Sequence, residues 1–292
     1  IRDWLERYLE TEDIVQPAPK AFTMPKGFPR PVSSMGEAEE AAIALREAWD
    51  LGTDPIEDLT ATLEDRGIRV GIIEADDGFD ACTFRTEIDG RVPVIVTRRG
   101  LPGDRQRFNL AHELGHLVMD LDDDLDEEKA CHRFAGALLA PGPGLRNDLG
   151  AHRHKVTGDE LHLLKHKYGI SMQALVFRLR DLGVINDAMA ARAHRYFRKA
   201  GWHREEPGEQ LDPEQPQRFH LLVLNALAEG LIGERRAREL YGGPSLNWSR
   251  MWKPSPNAPC AVSPTPTSGS TCASAASSAA SSSYKRPGSS RT

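Results

Sequence analysis

The fold of this chain is decided at residues 108–119, which have the sequence FNLAHELGHLVM. In an α-helix the side chains of His112 and His116 lie about one turn apart on the same face, because a turn takes 3.6 residues. The same helix would have an apolar stripe, formed by Leu110, Leu114, Leu117, Val118 and Leu121. The two histidines lie on the side opposite this stripe, so the helix can bury its stripe and still present both imidazoles to a ligand.

The H-E-x-x-H pattern of residues 112–116 is typical of a zinc-binding helix. Two imidazoles with this spacing can reach one Zn²⁺, and Glu113 between them can address a water molecule. Metal binding lowers the pKa of such a water, and a carboxylate can then take its proton. The sequence therefore predicts His112 and His116 as metal ligands and Glu113 as the general base of a hydrolytic site.

A catalytic zinc site normally has a third protein ligand, and an acidic run follows the helix. Its members are Asp120, Asp122, Asp123, Asp124, Asp126, Glu127 and Glu128. Most of this run is typical of a solvated loop, although it could also attract a basic partner protein. Glu128 differs because a helical pattern follows it, so its carboxylate would be held against the first helix. We expect Glu128 to be the third ligand, with Glu127 as the alternative.

The flanking sequence predicts a mixed α+β domain. We expect helices at 33–49, 55–67, 105–120 and 126–140, the third capped by Asp104, and strands at 68–73, 79–84 and 92–96. Pro93 predicts that the last strand is either an edge strand or begins at this residue. Residues 92–97 could bind a peptide backbone by strand addition. A purely structural strand is an equal alternative.

Three helices are predicted downstream, at 159–168, 172–182 and 186–199, followed by a helical hairpin at 218–241. Residues 158–185 could form a helix-turn-helix that contacts DNA through basic side chains. These are Lys165, Lys167, Arg178 and Arg180. The apolar residues Leu175, Val176 and Leu179 favour a structural support for the preceding domain instead.

The composition excludes several classes of protein. The 292 residues have a net charge of -6, and the last forty carry four basic and no acidic residues, so residues 1–252 carry -10. An acidic body argues against broad binding to a phosphate backbone.

No apolar run approaches 18 residues, which predicts no membrane span. The four cysteines (Cys82, Cys131, Cys260 and Cys272) form no C-x-x-C pair, and the start lacks a signal pattern, so we expect a reducing, cytoplasmic setting.

Composition also predicts the domain boundaries. We expect a helix remnant and Pro-rich linker at 1–32, a core at 33–150 and a helical subdomain at 151–200. A C-terminal hairpin is expected at 201–252 and a disordered Ser/Pro/Ala-rich tail at 253–292. The chain starts without Met and reads as part of a longer protein.

Two segments of this sequence resemble the ImmA/IrrE family of metallo-endopeptidases. They are RFNLAHELGHLV at 107–118 and EKACHRFAGALLAP at 128–141, and the resemblance extends over about residues 33–200. It implies a zincin-like fold in which Glu128 is the third zinc ligand and His132 lies beside the ligands. The chain departs from the family at Cys131, where alanine is usual. A small buried substitute explains this cysteine, although its spacing from Glu128 could also bring the thiol near the metal.

The resemblance implies a zinc-dependent endopeptidase that cleaves a repressor or another regulatory protein. Such relatives often carry an N-terminal Cro/CI-type helix-turn-helix, and the Pro-rich linker fits the loss of one here. The alternative is therefore a DNA-binding regulator or an antitoxin-like component, in which the peptidase-like domain acts as a sensor. The sequence does not identify the oxyanion donor, for which the candidates are Arg153, His162, His166 and Tyr168.

Overall fold

The computed structural model describes residues 1–15, 21–86 and 92–241, which form eleven helices and five strands. The helices are α1 (Arg2–Ile14), α2 (Met35–Ala48), α3 (Leu59–Asp65), α4 (Gly103–Val118), α5 (Glu127–Leu139), α6 (Gly142–Leu149), α7 (Gly158–Tyr168), α8 (Met172–Asp181), α9 (Asp187–Ala200), α10 (Arg218–Ala228) and α11 (Glu234–Tyr241). The strands are β1 (Arg30–Val32), β2 (Arg69–Ile73), β3 (Ala81–Thr86), β4 (Val92–Arg98) and β5 (Met119–Leu121). The predicted α+β class is confirmed, and the predicted tail at 253–292 lies outside the described residues.

Local capping explains where several helices begin. Ser34 caps α2 by accepting a hydrogen bond from the Glu37 N–H, and the Glu37 carboxylate accepts hydrogen bonds from the N–H and hydroxyl of Ser33. At α7, Thr157 and Glu160 form a capping box, in which each side chain accepts a hydrogen bond from the backbone N–H of the other residue. These short-range hydrogen bonds satisfy backbone donors that the first helical turn leaves without a partner.

The predicted cap of α4 is wrong. The helix begins at Gly103 after Pro102, and Asp104 lies inside its first turn without capping it. Asp104 is buried and its carboxylate pairs at 2.9 Å with the buried ammonium of Lys165 on α7. The Asp104 carboxylate therefore binds Lys165, 61 residues away in the sequence, and does not cap α4 as the local sequence pattern predicts.

The three-stranded sheet has the order β2-β4-β3, with β2 parallel and β3 antiparallel to β4. The edge position predicted from Pro93 is thus wrong, because β4 lies in the centre. The alternative, that Pro93 marks the beginning of a strand, is confirmed, because it is the second residue of β4. The Arg98 N–H donates to the carbonyl of Asp80, which precedes β3, so the Arg98 N–H points towards β3. Successive residues of a strand direct their backbone nitrogens to opposite sides, and Pro93 lies five residues before Arg98. The Pro93 nitrogen therefore points towards β2. Pairing with β2 begins only at Val94, so the missing N–H of Pro93 costs no ladder bond.

A second, two-stranded parallel sheet joins β1 to β5. The Pro-rich stretch that the sequence predicts as a linker therefore contributes β1. Arg30 pairs with Met119 and Val32 pairs with Leu121, immediately after α4 ends. This pairing fixes the course of the chain between α4 and the acidic run.

The hydrophobic core places α4 between the larger sheet and a layer formed by α2 and α5. Leu45, Leu110, Leu114, Phe134 and Leu138 are fully buried there. Gly115 permits the close approach of α4 and α5, because a Cβ at this position would lie 3.2 Å from the Phe134 ring and 3.3 Å from the Cys131 Sγ. The first turn of α5 is consequently held beside the histidine face of α4.

The three downstream helices form as the sequence predicts, with Gly169 in the left-handed conformation (φ 67°) between α7 and α8. The predicted apolar face of α8 is buried, and α8 packs against α5. The Arg178 side chain is buried too, donating to the Ala140 carbonyl at 2.9 Å and pairing with Glu39 at 3.0 Å. These helices are therefore attached to the core through the face that carries their apolar residues.

The residues between α9 and α10, 201–217, are called here the connecting segment. Its Glu206 accepts hydrogen bonds from the N–H groups of Met172 and Gln173 at the start of α8, and pairs with Lys165 at 2.9 Å. Its Glu214 accepts from the N–H groups of Leu59 and Thr60 at the start of α3, and pairs with Arg107. Each carboxylate thus satisfies a helix N-terminus and a buried cation together.

Within the described ranges, none of the helices is both long enough and apolar enough to cross a bilayer.

Candidate metal centre

The two histidines of α4 converge on one point. Their Nε2 atoms lie 3.1 Å apart, and their ring centroids are 4.9 Å apart. Two nitrogen ligands of a tetrahedral zinc ion, each about 2.05 Å from it, are separated by roughly 3.3 Å. The separation of the two Nε2 atoms is therefore close to what one zinc ion requires.

The carboxylate of Glu128 lies at the same point. Its oxygens are 3.4 Å from the His112 Nε2 and 3.8 Å from the His116 Nε2. Asp126 caps α5 by accepting a hydrogen bond from the Lys129 N–H, which fixes the helical turn that carries Glu128. The Glu128 side chain is 70% exposed, so it stands at the mouth of the site.

Glu127, the alternative ligand, contacts a different nitrogen. One of its oxygens lies 2.8 Å from the His116 Nδ1, which faces away from the convergence point of the Nε2 atoms. A carboxylate in this position orients a metal-binding imidazole and increases its basicity. The two neighbouring glutamates thus lie beside different histidine nitrogens. The sequence reasoning missed the contact of Glu127 with His116 because it depends on how closely α5 approaches α4.

Two further side chains of α5 border the histidines. The Cys131 thiol is fully buried, and the ligand atoms of His112, His116 and Cys131 lie within 4.8 Å of one another. Burial and the nearby carboxylates raise the pKa of the Cys131 thiol to about 12. The exposed His132 has its ring centroid 4.7 Å from that of His112, next to the ligands as the resemblance implies.

The surroundings of His112 keep its imidazole neutral. Burial, with the histidines His132 and His116 nearby, lowers the pKa of His112 to about 4. A neutral imidazole is the form that binds a metal. Within the described residues, the buried Nδ1 of His112 has no hydrogen-bond partner.

This donor set fits zinc. Imidazole nitrogens and a thiol are ligands that zinc accepts, whereas magnesium and calcium prefer sites made of oxygen donors. A carboxylate is compatible with either class. The residues present therefore suit a borderline-soft divalent ion.

Glu113 is positioned by the edge of the larger sheet. Its half-buried carboxylate accepts a hydrogen bond from the backbone N–H of Thr83 on β3. Burial raises the pKa of Glu113, against a lowering by His116 and by that hydrogen bond. A carboxyl group with a raised pKa binds a proton more readily near neutral pH, as general acid–base catalysis requires.

The edge strand beside the site is β3, which pairs with β4 alone among the described strands. The alternation fixed by the Arg98–Asp80 hydrogen bond directs the N–H groups of Ala81, Thr83 and Arg85 towards the open edge. One of these groups, the Thr83 N–H, bonds to Glu113. The open edge of β3 therefore runs past the metal centre.

A cleft of about 270 Å³ adjoins His116. Its apolar lining comes from Met119, Leu121 and Leu125, and its polar lining from His116, Asp122, Asp123 and Glu127. The cleft gives a substrate side chain room beside the site.

The four candidate oxyanion donors contact other groups. Arg153 pairs with Glu160 at 2.5 Å, and the Tyr168 hydroxyl donates to Asp148 at 2.6 Å. His162 and His166 pack against each other with ring centroids 4.6 Å apart. In the described part of the chain, these contacts direct all four side chains to partners other than His112, Glu113 and His116.

The side chains expected to contact DNA are paired within the chain. Lys165 and Arg178 are buried in the ion pairs described above. Lys167 pairs with Asp148 at 2.6 Å, and Arg180 pairs with Asp181 at 2.8 Å. Residues 158–185 consequently favour the structural alternative over direct DNA contact.

Comparisons with known proteins agree with the sequence resemblance. Residues 64–180 match the family model described as Peptidase_M78, the IrrE N-terminal-like domain. This match includes the larger sheet, α4 and α5. The chain is also similar to a transcriptional regulator of Mycobacterium tuberculosis, with 17% identity and a TM-score of 0.37. That match covers 60% of this chain and 51% of the regulator, so the chain spans about half the regulator's length. No curated protein matches the chain.

Proposed function

We propose that this chain, whose residues 64–180 match the Peptidase_M78 family model, is a zinc-dependent endopeptidase. The observation that carries the proposal is the convergence of the His112 and His116 Nε2 atoms and the Glu128 carboxylate beside Glu113. His112, His116 and Glu128 would hold the zinc ion. A zinc ion supplies Lewis-acid polarisation of a carbonyl and lowers the pKa of water.

Glu113 is the proton-transferring group in this proposal. Its carboxylate takes a proton from the water that attacks the peptide carbonyl and passes this proton to the leaving amine. The Thr83 N–H holds the carboxylate in place, while burial keeps its pKa above the ordinary value. Glu127 orients the His116 ring through its Nδ1.

The substrate backbone would bind along β3. The outward N–H and carbonyl groups of this strand can add a further strand, which is a general mode of peptide binding. Such a strand would lie next to Glu113, because Thr83 belongs to the same open edge. The edge-strand role expected for residues 92–97 thus passes to residues 81–86.

The substrate we propose is a regulatory protein, specifically a DNA-binding repressor present in the same cytoplasm. The acidic residues around the site support a basic partner, because Asp122, Asp123 and Glu127 line the cleft beside His116. The net negative charge of residues 1–252 also favours a basic partner over a broad range of substrates.

The test is incubation of the zinc-loaded chain with DNA-binding proteins encoded nearby, followed by intact-mass analysis. We expect one defined cleavage that E113Q abolishes and little digestion of casein. Rapid, unselective digestion of casein that E113Q abolishes would reject the specific substrate and keep the peptidase. Absence of cleavage together with absence of bound zinc would reject the proposed function itself.

A further inference from the structure

Cys131 lies at the buried end of the metal centre. It follows Glu128 by three residues on α5, so both side chains lie on the face of α5 that meets α4. Glu128 stands at the exposed mouth, whereas the Cys131 thiol is fully buried. Gly115 gives this thiol space, because a Cβ there would lie only 3.3 Å from its Sγ, closer than an ordinary contact.

The thiol is close enough to share an ion with the histidines. The ligand atoms of His112, His116 and Cys131 lie within 4.8 Å of one another. A nitrogen and a sulfur bound to one tetrahedral zinc ion are roughly 3.6 Å apart, given bond lengths of about 2.05 and 2.3 Å. The observed separations exceed this by about an ångström at most, which a small side-chain rotation can close.

We propose that Cys131 is a sulfur ligand to the ion that His112 and His116 hold. The proposal rests on the proposed function only in requiring a bound metal. His112, His116 and Cys131 then form a buried set, and Glu128 completes it from the exposed side. Four protein donors are typical of zinc sites without an open position. Glu128, as the exposed member, is therefore the group that must yield when a substrate enters.

The test is zinc X-ray absorption spectroscopy on the zinc-loaded full chain. All variants carry Cys260→Ser and Cys272→Ser, so that Cys82 and Cys131 are the remaining thiols. We expect a sulfur shell at about 2.3 Å, lost in C131A and retained in C82A. Cys82 is a matched control because it lies close to Glu113 but outside the ligand group, and because partial burial, with a smaller effect of Glu113, raises the pKa of its thiol.

A second readout is zinc affinity, measured by competition with a chelating dye. We expect C131A to weaken binding by about tenfold or more, and C82A to change it by less than about twofold. C131S is measured as well, because it keeps the side-chain volume if C131A fails to fold, as circular dichroism would show.

The outcomes separate the two proposals. One bound zinc with a shell of nitrogen and oxygen only, or a sulfur shell that survives in both C131A and C131S, overturns the role of Cys131 and leaves the peptidase proposal intact. No zinc in any variant overturns both. Loss of the sulfur shell in C131A or C131S, with its retention in C82A, supports the inference.

Discussion

Two helices of this chain carry a pair of histidines four residues apart, and the pairs have nearly the same shape. The rings of His112 and His116 on α4 have centroids 4.9 Å apart and planes at 72°. The rings of His162 and His166 on α7 have centroids 4.6 Å apart and planes at 69°. Helical spacing alone therefore produces this arrangement of two imidazoles.

The surroundings of the two pairs differ. On α4 the neighbouring helix α5 brings a carboxylate and a thiol to the histidines. On α7 the His162 ring packs against Gly208, where a Cβ would lie 2.6 Å from it, and the His166 Nε2 lies 3.2 Å from the Glu209 carbonyl. Within the described residues, only the α4 pair belongs to a group of three potential ligands. A metal centre thus requires the second helix as well as the histidine spacing.

Metal content is the measurement with the largest expected effect on this comparison. We expect one equivalent of bound zinc in the wild type and the loss of most of it in H112A and H116A, because each variant lacks one of the proposed imidazole ligands. H162A and H166A, the matched variants on α7, should retain it. Elemental analysis after gel filtration measures the difference. Equal zinc in the wild type and in an H112A/H116A double variant would remove the distinction between the pairs.

The second prediction compares the rate of hydrolysis in variants of the residue that follows the first histidine of each pair. Glu113 follows His112, whereas the exposed Leu163 follows His162. We expect E113Q to keep zinc and to lower the rate by about 100-fold or more, because a general base contributes at least this factor. L163Q is the control and should match the wild type. An E113Q variant that hydrolyses substrate at the wild-type rate would assign proton transfer to another group.

The third prediction compares the contributions of Glu127 and Glu128, both in the first turn of α5, to zinc affinity. We expect E128A to weaken zinc binding by more than about 100-fold, because it removes a ligand. E127A should weaken it by about tenfold, because it removes the group that orients His116. Competition with a chelating dye measures both. Equal effects would contradict the assignment of Glu128 as the ligand.

A smaller effect concerns the pH dependence of stability in the metal-free chain. The pKa of His112 is about 4 in the folded chain, below the ordinary value of 6.5, so the unfolded chain binds more protons between these values. The free energy of unfolding should therefore rise with pH from about 4 to about 6.5, with up to about 1.4 kcal/mol per pH unit from this group. Urea unfolding of H112Q should show a weaker rise. An unchanged slope in H112Q would assign the pH dependence elsewhere.

The parts of the fold that depend on short-range patterns could be predicted from the sequence. The cap at Ser34, the H-E-x-x-H helix and the three helices after residue 157 all depend on residues within about one turn of one another. The proximity of Glu128 to the histidines also agrees with prediction, because the family motif carries it.

The predictions that were wrong concern residues whose contacts depend on a partner far away in the sequence. Pro93 is typical of an edge strand or of a strand beginning. It lies in the central strand here because pairing between β2 and β4 begins only at Val94, so no hydrogen bond to β2 is lost at Pro93. Asp104 has the pattern of a cap, but Lys165 takes its carboxylate. Sequence separation hides such partners, and the contact between Glu127 and His116 was missed for the same reason.

The connecting segment limits which insertions and deletions this protein can tolerate. Loops without regular structure usually vary in length among related proteins. Here Glu206 and Glu214 must reach two helix N-termini and two buried cations, Lys165 and Arg107, at fixed positions. Adding or removing one residue between the two glutamates would pull one carboxylate away from its partners. Among related chains we therefore expect the number of residues between these two glutamates to stay constant.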